Sequence, residues 1–142
     1  MIRVLSNGMG FTKGYTIGLV DERSEIAAMY KGVPQNDIGV RTDVMNNCVK
    51  NIGMKMMIRS MGPNILATDE VGSADDIIAI LDAMSSGVKL LLTAHGEELS
   101  DIPKELLSKK VFKNIVFLSK GKTPGEIKNI IVLEEDKYVI SS

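Results

Sequence analysis

Short apolar runs alternate with stretches of helical period along most of this chain, and this alternation constrains the fold more than any other feature. Strand-like runs separated by helices are typical of α/β architecture with a parallel sheet. Polar residues follow each run at its carboxyl end. Because the carboxyl ends of parallel strands face one crevice, we predict that the four ends converge in space. The four runs are Tyr15–Val20, Ile65–Thr68, Val88–Ala94 and Ile115–Leu118.

Helices and one hairpin are predicted between and after these strands. Apolar spacing predicts a first helix from Val44 to Ser60, stopped by the Gly-Pro pair that follows. A second helix has Ser73 as its N-cap and ends at Gly87, and a third runs from Pro103 to about Lys109. Two further apolar segments flank a charged turn and predict a hairpin that closes the sheet at one edge. The hairpin consists of Ile127–Leu133, the turn Glu134–Lys137 and Tyr138–Ile140.

Composition narrows the classes of protein to which the chain can belong. Its 142 residues are enough for one domain with its own core, without disulfides or metals. With 17 basic against 18 acidic residues, the chain lacks the basic excess that is typical of nucleic-acid-binding proteins. The single Cys48 allows no internal disulfide, is expected to be inert packing, and fits the cytoplasm. One Cys and one His cannot form a structural zinc site, and no apolar run reaches the roughly 18 residues of a membrane span.

The strongest local motif is an apolar strand that ends in the acid pair Asp69-Glu70. An adjacent pair at a strand end can place the first acid near Mg²⁺, through water, and the second against an attacking water. The form is that of a Walker B box, although Thr68 interrupts the apolar run. The alternative interpretation is an ordinary strand exit.

Two other strand ends carry candidate polar groups. Acidic and basic residues follow Val20, with Glu22 among them, and the alternative is a solvated turn. After the third apolar run, Thr93 or His95 is placed to donate a hydrogen bond to a terminal phosphate. The alternative for His95, the only histidine, is a structural or surface role.

Two arginines are candidates for phosphate contacts or for reaching into a neighbouring subunit. Arg41 lies in the polar loop Gly32–Asp43, and Arg59 lies on the helix that follows. The alternative is that both are surface arginines. Gly121-Lys122-Thr123 is not the end of a phosphate-binding loop, because the required earlier glycine is Val116 and Pro124 follows instead of a helix. We interpret this segment as a surface turn.

Five motifs in order resemble the stage III sporulation protein AA family of endospore-forming bacteria, which is related to type II and type IV secretion ATPases. The likeness runs from about Tyr15 to Leu118, and five ordered motifs are more specific than any one of them. The motifs are VDERSEIA from Val20, GVPQNDIGVRTDV from Gly32, MMIRSM from Met56, DEVG from Asp69 and TAHG from Thr93.

This resemblance implies a RecA-like, three-layer ATPase core that normally forms a hexameric ring and uses ATP and Mg²⁺. It implies that Asp69 serves Mg²⁺, that Glu70 activates water, and that Glu22 and His95 belong to the acidic and histidine boxes of secretion ATPases. Arg41 and Arg59 become candidate nucleotide or inter-subunit arginines. The implied setting is the mother-cell side of a membrane complex whose embedded channel proteins are the partners.

The sequence departs from the family by lacking the Gly-x-x-x-x-Gly-Lys-Thr loop. We therefore expect a partial RecA-like domain, with residues 1–14 as a mobile remnant of the helix after that loop and residues 15–142 as the core. Loss of the loop strand would expose two inner sheet edges, closed either by rearranged C-terminal strands or by strand exchange between copies. We expect this chain alone to be inactive, with weak or absent nucleotide binding. The alternative function is a non-catalytic interaction module.

Overall fold

The computed structural model describes residues 1–121, 123–134 and 137–140, which form two units, 1–94 and 95–142. The first unit contains a parallel four-stranded sheet, and the second contains an antiparallel three-stranded sheet. The helices are α1 Ile2–Asn7, α2 Lys50–Met61, α3 Ala74–Ser85 and α4 Lys104–Ser108. The strands are β1 Ile17–Asp21, β2 Met29–Tyr30, β3 Val33–Pro34, β4 Thr42–Asn46, β5 Ile65–Thr68, β6 Lys89–Leu92, β7 Asn114–Leu118, β8 Ile127–Glu134 and β9 Lys137–Ile140.

Strand β1 lies inside the parallel sheet, whose strand order is β4-β1-β5-β6. All five of its residues are buried, as is usual for a parallel strand covered on both faces. In register, Val20 is level with Thr68 of β5, and Thr68 is level with Leu92 of β6. The residues that follow these three positions therefore leave the sheet at the same edge, which we call the carboxyl edge.

Helix α2 packs closely on β1 because glycines remove side chains at the contact. A Cβ atom on Gly53 of α2 would lie 2.7 Å from Cγ1 of Val20, closer than real Cβ contacts allow. A Cβ atom on Gly18 would overlap the side chain of Met57. The close approach fixes the start of α2 beside the carboxyl edge of the sheet and its last turn beside the opposite edge.

The predicted second helix is confirmed, including its cap. The Ser73 hydroxyl accepts the Asp76 N–H, and the Asp76 carboxylate accepts the Ser73 N–H at 3.0 Å. This reciprocal pair satisfies two N–H groups that the first turn would otherwise leave open. The third predicted helix is confirmed as α4, and the predicted hairpin is confirmed as β8 and β9. Residues 135 and 136 of its turn lie outside the described residues.

The prediction that the first helix starts at Val44 is wrong. Residues Thr42–Asn46 form β4, which pairs in parallel with β1, and the helix begins only at Lys50. Asn47 has a φ of 53°, which ends the strand, and Val49 at the N-cap has a non-helical ψ of 131°. The pairing partner lies more than 20 residues away in sequence, so tertiary contacts override the local helical spacing.

The prediction that Ile115–Leu118 is a strand of the parallel sheet is also wrong. These residues belong to β7, which pairs antiparallel with β8 in the order β7-β8-β9. The hairpin likewise extends this second sheet and does not close an edge of the parallel one.

Strands β6 and β7 are outer strands of their sheets, so each has a neighbour on one side only among the described residues. Within the described residues, β6 pairs only with β5, and β7 pairs only with β8. The C-terminal strands β7, β8 and β9 therefore do not pair with β6. Of the two expected ways to close the gap left by the missing loop strand, rearranged C-terminal strands are not seen, and strand exchange between copies stays a prediction.

The first 14 residues contain α1, which is tied to the segment before β4. The hydroxyl of the fully buried Ser6 accepts the Arg41 N–H at 2.8 Å, and the Asn7 side chain accepts the Val40 N–H at 2.9 Å. The mobility expected for this segment stays a prediction. No helix among the described residues is long and apolar enough to cross a membrane.

Candidate functional site

Three strand ends bring the candidate side chains together at the carboxyl edge of the parallel sheet. Asp21 ends β1, Asp69 and Glu70 follow β5, and Thr93 follows β6. Backbone hydrogen bonds connect two of these exits, from the Val71 N–H to the Thr93 carbonyl at 2.9 Å. The three predicted strand ends of the first unit therefore meet at this edge.

The carboxylate of Asp21 is fully buried and holds the loop that follows β1. It accepts the backbone N–H groups of Glu25 at 3.0 Å, Ile26 at 3.2 Å and Ala27 at 2.8 Å. Buried carboxylates require such partners to offset the loss of water. The charged run after Val20 is therefore more than a solvated turn, because its first residue, Asp21, is buried and holds the backbone of the loop.

Asp69 is nearly buried and lies beside a cation. Its Oδ1 is 3.6 Å from the Lys50 ammonium, and the two side chains are 12% and 10% exposed. The same ammonium donates a hydrogen bond of 3.0 Å to the carbonyl of Glu70. Lys50 is the first residue of α2, so this contact fastens the start of that helix to the exit of β5.

Glu70 points its carboxylate to the loop after β1, where Arg23 donates to Oε2 at 3.2 Å. Its backbone has a φ of 40°, a left-handed conformation that costs energy in a residue with a side chain. The Glu70 N–H donates to the Thr93 hydroxyl at 3.0 Å, which supports this conformation. Such strained residues often occur at functional sites.

The remaining candidates are distributed over the molecule. Glu22 is half-buried directly after Asp21, at the carboxyl edge. His95 is exposed and begins the second unit. Arg41 precedes β4 and its carbonyl accepts the Ile17 N–H, while Arg59 lies in the last turn of α2. Both arginines are exposed at the opposite edge of the parallel sheet, and Arg41 is about 16 Å along the strands from the level of Asp69.

Sequence reasoning missed Lys50 and Arg23, the two cations of the site. No sequence signal indicates Lys50, because the apolar spacing places the start of the helix at Val44. In the structure, Lys50 is the first residue of a helix whose first turn has no acid and no side-chain cap. A cation is unfavourable there because the helix dipole places positive charge at its N-terminus. Arg23 is one of several charges in its run, and nothing in the sequence singles it out.

The acids do not fit a divalent cation as they are arranged. Each carboxylate of the Asp69-Glu70 pair lies beside a cationic side chain, and an added Mg²⁺ would be repelled by the Lys50 ammonium. No group of three or more potential metal-ligating His, Cys, Asp or Glu residues occurs among the described residues.

In the second unit, Asp101 closes the turn that follows His95 and Gly96. Its Oδ2 accepts the N–H groups of Glu97 at 2.7 Å and Glu98 at 3.1 Å. These two backbone hydrogen bonds, helped by the charge of Lys120, lower the pKa of Asp101 below its usual range. The carboxylate form thus stabilises this turn.

Comparisons with known proteins agree with this architecture. Residues 1–137 match the family model described as sporulation stage III, protein AA. The chain is 38% identical over 146 residues to stage III sporulation protein AA of Bacillus subtilis (strain 168), covering 99% of this chain and 47% of that protein. Its fold is similar to the X-ray structure of the Legionella pneumophila ATPase DotB, with a TM-score of 0.58, 13% identity, and coverage of 84% of this chain and 38% of that one.

The likeness to DotB confirms the predicted fold class at the level of architecture, α/β with a mostly parallel sheet and a C-terminal antiparallel hairpin. The chain spans about half the length of the curated relative that it matches.

Proposed function

Because the chain belongs to the sporulation stage III protein AA family, we propose that it is the part of a sporulation ATPase that carries the acid pair of the hydrolytic site. The observation that carries this proposal is the position of Asp69 and Glu70 at the carboxyl edge of a parallel sheet, on a fold similar to that of the ATPase DotB. In open α/β sheets, ligands bind outside this edge.

Within this proposal, Glu70 orients and activates the attacking water. Its strained backbone and its contact with Thr93 hold it at the exit of β5. Glu22 contributes to the same edge as a member of the acidic box, and His95 is the histidine-box residue. This chain has no Gly-x-x-x-x-Gly-Lys-Ser/Thr stretch with which to grip the phosphates, so the proposal assigns that task to a longer protein that includes this chain.

The positions of Arg41 and Arg59 favour a role between subunits. Both are exposed at the edge opposite the acid pair, so neither reaches the acids of its own copy. In a homo-oligomer, a neighbouring copy could receive them at its nucleotide, as arginine fingers do. We propose a hexamer on the mother-cell side of a membrane complex, with embedded channel proteins as partners and ATP as the nucleotide.

The test measures ATP hydrolysis by a longer protein that includes this chain and the phosphate loop. Glu70→Gln should lower kcat by at least about 100-fold, because loss of a positioned general base typically costs that much. Glu105→Gln, at the exposed start of α4, is the control and should leave kcat unchanged. Equal rates for wild type and Glu70→Gln would refute the proposal. The 142-residue chain alone should not bind millimolar ATP.

A second candidate is a non-catalytic interaction module, and the cations at the site favour it. Lys50 and Arg23 already engage both acids, so the cluster is internally satisfied. If the longer protein neither binds nor hydrolyses ATP, this function is the better one.

We propose that this chain self-associates, because β6 pairs on one side only within the part of the chain that the structure describes. A parallel strand with an unpaired edge is a template for pairing with another chain. We propose strand exchange between two copies, measured by light scattering after gel filtration. A monomer at micromolar concentrations would contradict this proposal.

A further inference from the structure

Lys50 combines two properties that are each unfavourable for a lysine. It is nearly buried, and it is the first residue of a helix, where the dipole repels a cation. A buried ammonium persists only where anionic or carbonyl oxygens replace its water. Something at this position must therefore hold the charge.

Its partners are two oxygens at the exit of β5. The ammonium lies 3.6 Å from Asp69 Oδ1 and donates to the Glu70 carbonyl at 3.0 Å. One oxygen belongs to a carboxylate and the other to a backbone carbonyl, and the two residues are consecutive.

We infer that the Lys50 ammonium is the resident cation of Asp69, so that this carboxylate is closed to divalent ions while Lys50 stays in place. A divalent ion bound directly to Asp69 would lie within a few ångströms of the ammonium, at a site with little water to screen the repulsion. Lys50 is thus a positioning residue that joins α2 to the β5 exit and occupies the place of a metal.

Direct binding of Mn²⁺ tests this inference on the 142-residue chain without nucleotide, independently of whether the longer protein hydrolyses ATP. Mn²⁺ is titrated while the signal of the free ion is followed by electron paramagnetic resonance. Wild-type protein should show no binding that depends on Asp69. Lys50→Met should bind Mn²⁺ at least about tenfold more tightly, because a buried carboxylate is left without its counter-charge. Adding Asp69→Asn should remove the gain.

Lys55→Met is the matched control. Lys55 also lies on α2 and is 3.7 Å from an acid, Asp82, but both side chains are at least half exposed. This variant should bind Mn²⁺ as wild type does, and Lys50→Arg should keep the site closed. The inference is overturned if wild-type protein binds Mn²⁺ and Asp69→Asn abolishes that binding, or if folded Lys50→Met gains none.

A second measurement needs no variant and decides the matter if Lys50→Met does not fold. Brief acetylation with a water-soluble reagent, read by mass spectrometry, compares the two lysines in one sample. Lys50 should react at least about tenfold more slowly than Lys55, because its ammonium is buried and bonded. Equal rates would overturn the inference.

Discussion

Asp21 permits a quantitative test of how the carboxyl edge of the parallel sheet is built. Three backbone N–H groups converge on its two buried oxygens, those of Glu25, Ile26 and Ala27. Asp21→Asn keeps the size of the side chain but replaces one oxygen with an NH₂ group. If the remaining oxygen faces Ala27, the N–H of Glu25 meets a donor instead of an acceptor.

The cost follows from the hydrogen bonds that are lost or weakened. A bond to a charged acceptor contributes about 1.5–3 kcal/mol, and the remaining bonds lose their charge assistance. We therefore expect Asp21→Asn to lower the free energy of unfolding by about 3 kcal/mol. Urea unfolding followed by circular dichroism measures this change, and hydrogen exchange at residues 25–27 should become faster.

Asp37→Asn is the matched control because Asp37 also accepts a backbone N–H, that of Gly39 at 3.1 Å. Its side chain is 67% exposed, and its ion pair with Arg3 is solvent-accessible. We expect a loss below about 1 kcal/mol, as for other exposed pairs. If Asp21→Asn costs no more than Asp37→Asn, burial and convergence do not give Asp21 the role argued above.

Three further predictions concern the helix contact, the β5 exit and the second unit. Gly53→Ala should lower the free energy of unfolding, measured by urea denaturation, by about 1 kcal/mol, because the clash with Val20 of β1 outweighs the better helix propensity of alanine. Gly72→Ala is the control and should leave the free energy of unfolding unchanged, because the space around Gly72 is open. Thr93→Val should cost about 1 kcal/mol and speed hydrogen exchange of the Glu70 amide, while Thr93→Ser should restore both. Because the pKa of Asp101 is lowered in the folded state, its carboxylate stabilises the turn at neutral pH, and this stabilisation is lost below about pH 4. Hydrogen exchange of the Glu97 and Glu98 amides, which donate to this carboxylate, should show the loss of protection.

Elements with strong local signals could be predicted from the sequence. Ser73 at the N-cap and Gly87 beyond the last turn predicted the limits of α3 to within a few residues. The apolar runs before Asp21 and Asp69 predicted buried strands, since polar residues mark where such strands leave the sheet. The acid pair was found for the same reason.

Elements that depend on distant partners could not be predicted. The residues of β4 adjoin a segment with helical apolar spacing, and they form a strand because they pair in parallel with β1. The apolar residues of β7 do not reveal whether the strand joins the parallel sheet or β8. Lys50 and Asp69 are 19 residues apart in sequence, and their contact arises because α2 begins at the carboxyl edge.

The two cations of the site differ in how readily they can leave. Arg23 and Glu70 are 65% and 39% exposed, and exposed pairs contribute about 0–1 kcal/mol, so a competing ligand displaces Arg23 at little cost. Removing one partner of a buried pair such as Lys50 and Asp69 costs about 3–5 kcal/mol. Arg23 is therefore displaced from Glu70 more readily than Lys50 is displaced from Asp69. Release of Asp69 requires movement of the start of α2, and that helix ends in the turn that bears Arg59. Arg59 at the opposite edge of the sheet and Lys50 at the carboxyl edge therefore belong to one helix.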